Sequence, residues 1–206
     1  VFGNPPSTRP MPKASLKETL EMDAQHQNQN SASFPLTLKE KRHSAGLMRI
    51  NHAGEVSAQA LYQAQSLTAR SEAVRHSMQL SAQEENDHLI WCKLRLTELE
   101  SRPSYLNSFW YAGSFIVGLM AGRAGDAISL GFVAETERQV VQHLQSHLTQ
   151  LPQHDEDSRA ILIQMQEDEA HHGTVAIKAG AVELPFLIKK IMRILSKVMT
   201  VTAYRV

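Results

Sequence analysis

The stretch Glu167-Asp168-Glu169-Ala170-His171-His172-Gly173 sets three carboxylates and two imidazoles within seven residues, near the end of a segment with helical spacing. On a helix surface such a cluster is an ordinary solvated face. Its meaning depends on a second stretch far upstream, Glu85-Asn86-Asp87-His88, which has the same Glu-x-x-His spacing. Residues i and i+3 share a face in any helix, so one such pair carries little information. Glu40-Lys41-Arg42-His43 matches it too, in a region where no site is expected.

The order along the chain is more telling. A single Glu55 precedes Glu85 and His88, and a single Glu137 precedes Glu169 and His172. Glu55 and Glu137 lie 82 positions apart, while Glu85 to Glu169 and His88 to His172 are each 84. The chain is internally duplicated at these positions. Each acid also interrupts an apolar stripe. Glu137 falls among Leu130, Val133, Ala134, Val140, Val141, Leu144 and Leu148, Glu85 among Met78, Ala82, Cys92, Leu96 and Leu99, and Glu55 among Met48, Ala58 and Tyr62. A buried carboxylate must raise its pKa or find a cation.

Two helices giving one Glu each, and two giving Glu-x-x-His, form the ligand set of carboxylate-bridged di-iron or di-manganese centres in ferritin-like bundles. Carboxylate oxygens suit hard divalent ions, and imidazole adds one nitrogen per metal. Four carboxylates neutralise two dications. The candidate ligands are therefore Glu55, Glu85, His88, Glu137, Glu169 and His172. Asp168 with His171 is a competing register, and the 84-residue repeat favours Glu169 with His172. Glu135 competes with Glu137, whose neighbours at three, four and seven residues are apolar. His143 and His52 are either outer hydrogen-bond partners or structurally neutral.

The rest of the chain reads as all-α. Residues 1–40 carry five of the eight prolines and a Gln/Asn/Ser-rich run, with a short helical pattern around Leu16 to Met22, and form a flexible or loosely docked leader. From 41 to 206 the pattern is that of one domain. Helical spacing runs from Ala45 to Ser101 with a break near Arg70-Ser71, and Pro103 ends it. Residues 105–122 hold no charge but several glycines, a weak membrane-span pattern. Helical spacing resumes from the Arg123–Asp126 turn to His147, and again from about Asp157 to Lys178. After Pro185, Lys189, Lys190, Arg193 and Lys197 share one face, opposite Leu187, Ile188, Ile191, Ile194, Leu195 and Val198. That is a basic amphipathic helix. The expected architecture is a ferritin-like four-helix bundle with additional amphipathic and hydrophobic helices for membrane contact.

Lys+Arg 21 against Asp+Glu 21 leaves no net charge to draw the protein to nucleic acid. A lone cysteine, Cys92, excludes an intrachain disulfide framework and Cys-rich metal sites, and suits a reducing compartment. No secretory signal pattern is expected at the start.

Asn51-His52-Ala53-Gly54-Glu55, Glu85-Asn86-Asp87-His88, the Glu135-Thr136-Glu137 helix and Glu169-Ala170-His171-His172 resemble the Coq7 family, the di-iron hydroxylases of ubiquinone biosynthesis. The resemblance covers roughly residues 40 to 206. It implies O2-dependent hydroxylation of the ring of a polyprenyl demethoxyubiquinol, with the same six residues holding two Fe2+ ions. It also implies an external reductant, NADH or quinol, because no Gly-rich dinucleotide turn follows a strand. A substrate that lives in the bilayer implies contact with the membrane surface, and a missing transit pattern places the expected location on the cytoplasmic face of the bacterial inner membrane. Other ubiquinone-biosynthesis proteins are admissible partners, and the oligomeric state is open. Two other classes compete: a ferritin-like ferroxidase or iron store, and a non-enzymatic, membrane-associated quinone-binding protein.

Overall fold

The computed structural model describes residues 9–13 and 35–206. Among them the chain forms six helices and no strand: α1 Leu38–Thr68, α2 Glu72–Glu98, α3 Asn107–Arg123, α4 Asp126–Gln150, α5 Glu156–Lys178 and α6 Phe186–Ala203. The boundaries follow local chemistry. Thr37 caps α1 in a capping box, accepting from the Glu40 amide while Glu40 Oε2 accepts from the Thr37 amide at 2.9 Å. Glu40 of the stray Glu-x-x-His match is thus spent on a helix start. Asp155 caps α5, and the buried Arg95 of α2 donates to Asp155 Oδ1 at 2.8 Å, tying the two helices at that end. Asp126 accepts from the amides of Arg70 and Ser71, fastening the α1–α2 turn to the start of α4.

The hairpins α1–α2 and α4–α5 build the bundle. Its core is layered along the helix axes. At one end Met48, Trp91, Cys92, Leu96, Leu144, Ile161, Leu162 and Met165 interdigitate; at the other Tyr62, Val74, Met78, Leu130, Val133 and Ala176 do so. Each bundle helix passes through both clusters. Glu55, Glu85, Glu137 and Glu169 lie between them on their respective helices, so the core consists of two apolar layers enclosing a polar one.

The uncharged segment forms all but the last residue of α3, which is 17 residues long and packed along the outside of α1. The contact depends on its glycines. A Cβ on Gly118 would stand 2.6 Å from the Leu61 carbonyl oxygen, so only glycine allows the two helices to come this close. The opposite face of α3 exposes Phe109, Ile116 and Met120. Among the described residues no helix is long and apolar enough to cross a membrane.

Helix α6 lies over α1 and α4. Its far end is held by the Tyr204 ring, which covers Gly46, and by Arg49 donating to the Tyr204 carbonyl at 2.8 Å. Much of its apolar stripe does not pack on the bundle: Phe186, Leu187, Ile191, Ile194 and Val198 are exposed. Of the leader, residues 9–13 lie against the bundle, where Met11 packs on the Trp91 layer. The expected short helix around Leu16 to Met22 lies outside the described residues.

Candidate metal centre

The six candidate ligands meet in the polar layer. Two groups of buried side chains have the spacing to hold a metal ion: Glu55, Glu85, His88 and Glu169 in one, and Glu85, Glu137, Glu169 and His172 in the other. Glu85 and Glu169 belong to both. The geometry therefore distinguishes two shared carboxylates from two peripheral ones, Glu55 and Glu137, with one imidazole on each side. His88 Nδ1 lies 3.0 Å from Glu169 Oε1 and 3.3 Å from Glu85 Oε2; His172 Nδ1 lies 3.0 Å from Glu169 Oε2 and 3.5 Å from Glu85 Oε1.

The competing assignments separate cleanly. Asp168 does not enter the layer, because its carboxylate reaches across to His88 Nε2 at 2.9 Å, and His171 is exposed. Glu135 is buried but turned along its own helix to Arg138 and Gln139. His52 accepts from Asn107 Nδ2 of α3 at 3.1 Å, and His143 lines the cavity described below; neither belongs to the two metal-compatible groups.

The residue just before each shared glutamate behaves alike. Asp168 binds the outer nitrogen of His88, and Glu84 binds that of His172 at 2.5 Å. Each carboxylate thus accepts the Nε2 proton of the other motif's histidine, which leaves Nδ1 free to face the layer and fixes the ring plane. Glu84 and Asp168 are themselves 84 positions apart, so the repeat carries them too. Tyr62 donates its hydroxyl proton to Glu137 Oε1.

The electrostatics show what such packing demands. Burial, then neighbouring Glu85, pushes the Glu55 carboxyl well above its usual range, and burial, then Glu169 and Glu85, does the same to Glu137. Glu85 moves the other way: burial raises it, but hydrogen bonds from His172 and His88 outweigh that and hold it low. Burial works against charge on His88 and His172, yet the carboxylates around them hold both rings well above the usual histidine range. Glu137 Oε2 is buried with no hydrogen-bond donor. Four carboxylates in a dry layer need positive charge, and protons and metal cations compete for the same oxygens and ring nitrogens. The donor set, four carboxylates and two imidazoles, fits a pair of divalent transition-metal ions.

Residues 42–203 match the family described as Ubiquinone biosynthesis protein COQ7. The chain belongs to the COQ7 family. Its relatives named 3-demethoxyubiquinol 3-hydroxylase include one from Cupriavidus metallidurans, 62% identical over 168 residues, covering 82% of this chain and 81% of the relative. Another, from Legionella pneumophila, is 58% identical over 176 residues, 85% of this chain and 83% of the relative. A third, from Polynucleobacter asymbioticus, is 58% identical over 171 residues, 83% and 82%.

In this COQ7 chain an apolar cavity of about 330 Å³ adjoins the polar layer. Phe109 and Trp110 of α3, Leu61 of α1, Val140 of α4 and Met192 and Met199 of α6 line it, and Glu55 forms part of its wall. Glu55 is thus common to the cavity and to the His88 group. The roles of Tyr62, Glu84 and Asp168 do not emerge from stripes and spacing alone: Tyr62 passes for an apolar core residue, Glu84 for a solvated neighbour, and Asp168 for a rival ligand. The preceding acid in both halves of the repeat is the signal that singles out Glu84 and Asp168.

Proposed function

We propose that the chain hydroxylates the aromatic ring of a polyprenyl demethoxyubiquinol, with Glu55, Glu85, His88, Glu137, Glu169 and His172 holding two iron ions. The observation that carries the reading is Glu55, which belongs at once to a metal-compatible group and to the wall of an apolar cavity. Hydroxylases among its relatives support the reaction class.

If held there, an iron pair would supply the redox chemistry of O2, one oxygen atom going to the ring and the other to water with two electrons and two protons, the electrons from an external reductant, NADH or quinol. The chain's own residues do the rest. Glu85 and Glu169 would be ligands common to both ions, and Glu55 with His88, and Glu137 with His172, would complete each side. Asp168 and Glu84 hold the two imidazoles with Nδ1 inward. Tyr62 fixes the orientation of Glu137 through its hydroxyl proton. The apolar layers above and below keep water from the reacting atoms. Phe109 and Trp110 give the flat ring of a quinol an aromatic wall, and the apolar lining from α3 and α6 suits an isoprenoid tail.

The outward apolar stripe of α6, flanked by Lys190, Arg193 and Lys197, and the exposed Phe109, Ile116 and Met120 support peripheral contact with an anionic bilayer, in the proposed setting the cytoplasmic face of a bacterial inner membrane. In the same reading residues 41–206 form the catalytic domain.

The test is iron per chain after anaerobic reconstitution of the wild type and Glu137→Ala, followed by O2-dependent conversion of demethoxyubiquinol. Close to two irons and turnover in the wild type, with about one iron and no turnover in the variant, supports the reading. A folded wild type that binds quinone but no metal points instead to a lipid-binding protein, and assembly into a large shell points to iron storage.

A further inference from the structure

The two histidine brackets are alike in chemistry but not in setting. Glu84, which brackets His172, has a side chain 51% exposed, whereas Asp168, which brackets His88, is 17% exposed. Covering Asp168 is Arg9, from the segment before the bundle. Its Nη2 stands 2.9 Å from Asp168 Oδ2, its Nε 3.3 Å from Asp87 Oδ2, and its Nη2 passes 3.4 Å from His88 Nε2. The guanidinium also lies over the Trp91 ring, 4.9 Å from its centroid, and the Trp91 indole donates to the Arg9 carbonyl at 3.3 Å. An isolated surface ion pair contributes little. Here a planar fork spans two carboxylates whose chain positions are 81 residues apart, one on α2 and one on α5, and its backbone is pinned by a buried indole.

We infer that Arg9 is a positioning residue for the His88 side of the metal centre. This rests on the proposed metal-binding reading. By engaging Asp168 from outside, Arg9 restrains the carboxylate that orients His88, while residues 9–13 cover that flank of the helix pair. The consequence is an asymmetric centre: an ion on the Glu55–His88 side would bind an imidazole whose orientation has two successive supports, and an ion on the Glu137–His172 side one whose single support is half-exposed. A duplicated site is thereby split into two distinct positions by a residue outside the duplication.

The experiment is a cobalt(II) titration of the full-length apoprotein, followed by its visible absorption, for the wild type, Arg9→Gln, Arg9→Lys, Asp168→Asn and the Arg9→Gln/Asp168→Asn double variant, with melting of each apoprotein alongside. Loss of an outer partner of a ligand histidine weakens metal binding by about ten- to a hundredfold, and a residue one step further out is expected to act more weakly. The expected result is two ions per wild-type chain, one of them weakened about three- to tenfold by Arg9→Gln, the other unchanged within about twofold, with the apoprotein melting temperature unmoved. Arg9→Lys restores part of the loss, and Arg9→Gln adds nothing once Asp168 is Asn. The inference is overturned if Arg9→Gln weakens both ions alike or neither, or if its effect adds in full to that of Asp168→Asn. A wild type that binds no cobalt removes the metal-centre reading itself, a different outcome from wild-type binding with an indifferent Arg9.

Discussion

His88 Nδ1 lies 3.0 Å from Glu169 Oε1: the histidine of one Glu-x-x-His motif faces the glutamate of the other. The two halves of the duplication are therefore interleaved, each supplying a carboxylate to both sides of the layer. Ligand variants should fall into two classes. Glu169→Gln is expected to reduce iron to well below one per chain, since it removes a donor from both groups, whereas Glu55→Gln should retain about one. Iron analysis of the folded, reconstituted variants checks this, and equal losses would contradict the sharing.

Asp168→Asn and Glu84→Gln each turn the acceptor of a histidine proton into a neutral amide. Each should weaken iron(II) affinity by about ten- to a hundredfold while leaving the helix content unchanged. A competitive iron(II) titration against a colorimetric chelator measures it, with circular dichroism as the control for folding.

Stability should fall in mild acid because of two histidines outside the layer. His52, by burial and then the nearby Lys93, and His147, by burial and then His143 and His43, are each lowered to about 4 from the ordinary 6.5. In each case the unfolded chain binds the proton more readily. The stabilisation is complete above pH 6.5 and is lost as the pH falls from 6.5 through 4. Together they should remove about 1–3 kcal/mol across that window, after allowing for relaxation of the partly buried rings. Urea melts between pH 7.5 and 4 test this, and His147→Gln, which keeps a donor for Asn51, should flatten the slope.

Gly118→Val should destabilise more than its mid-helix position implies. The new side chain would meet the Leu61 carbonyl oxygen, which is backbone and cannot swing away. Prying α3 from α1 should cost at least about 1–3 kcal/mol and distort the cavity that both helices line. Thermal melting and quinone binding should fall together.

Replacing Lys190, Arg193 and Lys197 by Glu should weaken binding to anionic vesicles by well over tenfold, at about 1 kcal/mol for each basic residue near the surface, and leave neutral-vesicle binding less affected. Co-sedimentation at two salt concentrations checks it. An unchanged affinity would mean that the exposed stripe of α6 serves something other than lipid.

Much of this was legible in the sequence because buried acids are rare and a repeated offset makes them visible. The all-helical fold, the breaks at Arg70-Ser71 and Pro103, and the convergence of Glu55, Glu85, His88, Glu137, Glu169 and His172 all follow from spacing. What spacing cannot give is which residue on one helix crosses to another. Asp168 competes with Glu169 in the sequence, and only the direction of its side chain, outward to His88 Nε2, separates a ligand from a bracket. The glycines of α3 dilute a membrane-span pattern in the sequence, and in three dimensions they bring a surface helix onto α1. Arg9 sits in a Pro-rich segment with no periodicity, and its partners lie 78 and 159 positions away.

The sandwich of one carboxylate layer between two hydrocarbon layers also governs how the helices align. An α-helix advances about 5.4 Å per turn, so sliding α5 by one turn would carry Glu169 out of its own stratum and into apolar packing, toward the layer of Cys92 and Leu144 in one direction or that of Met78 and Val133 in the other. That slip buries a charge without partners, which is far more costly than a mismatched methyl group. The residues proposed as ligands therefore also proofread the vertical alignment of all four bundle helices, and a bundle assembled out of step would be penalised whether or not it binds metal.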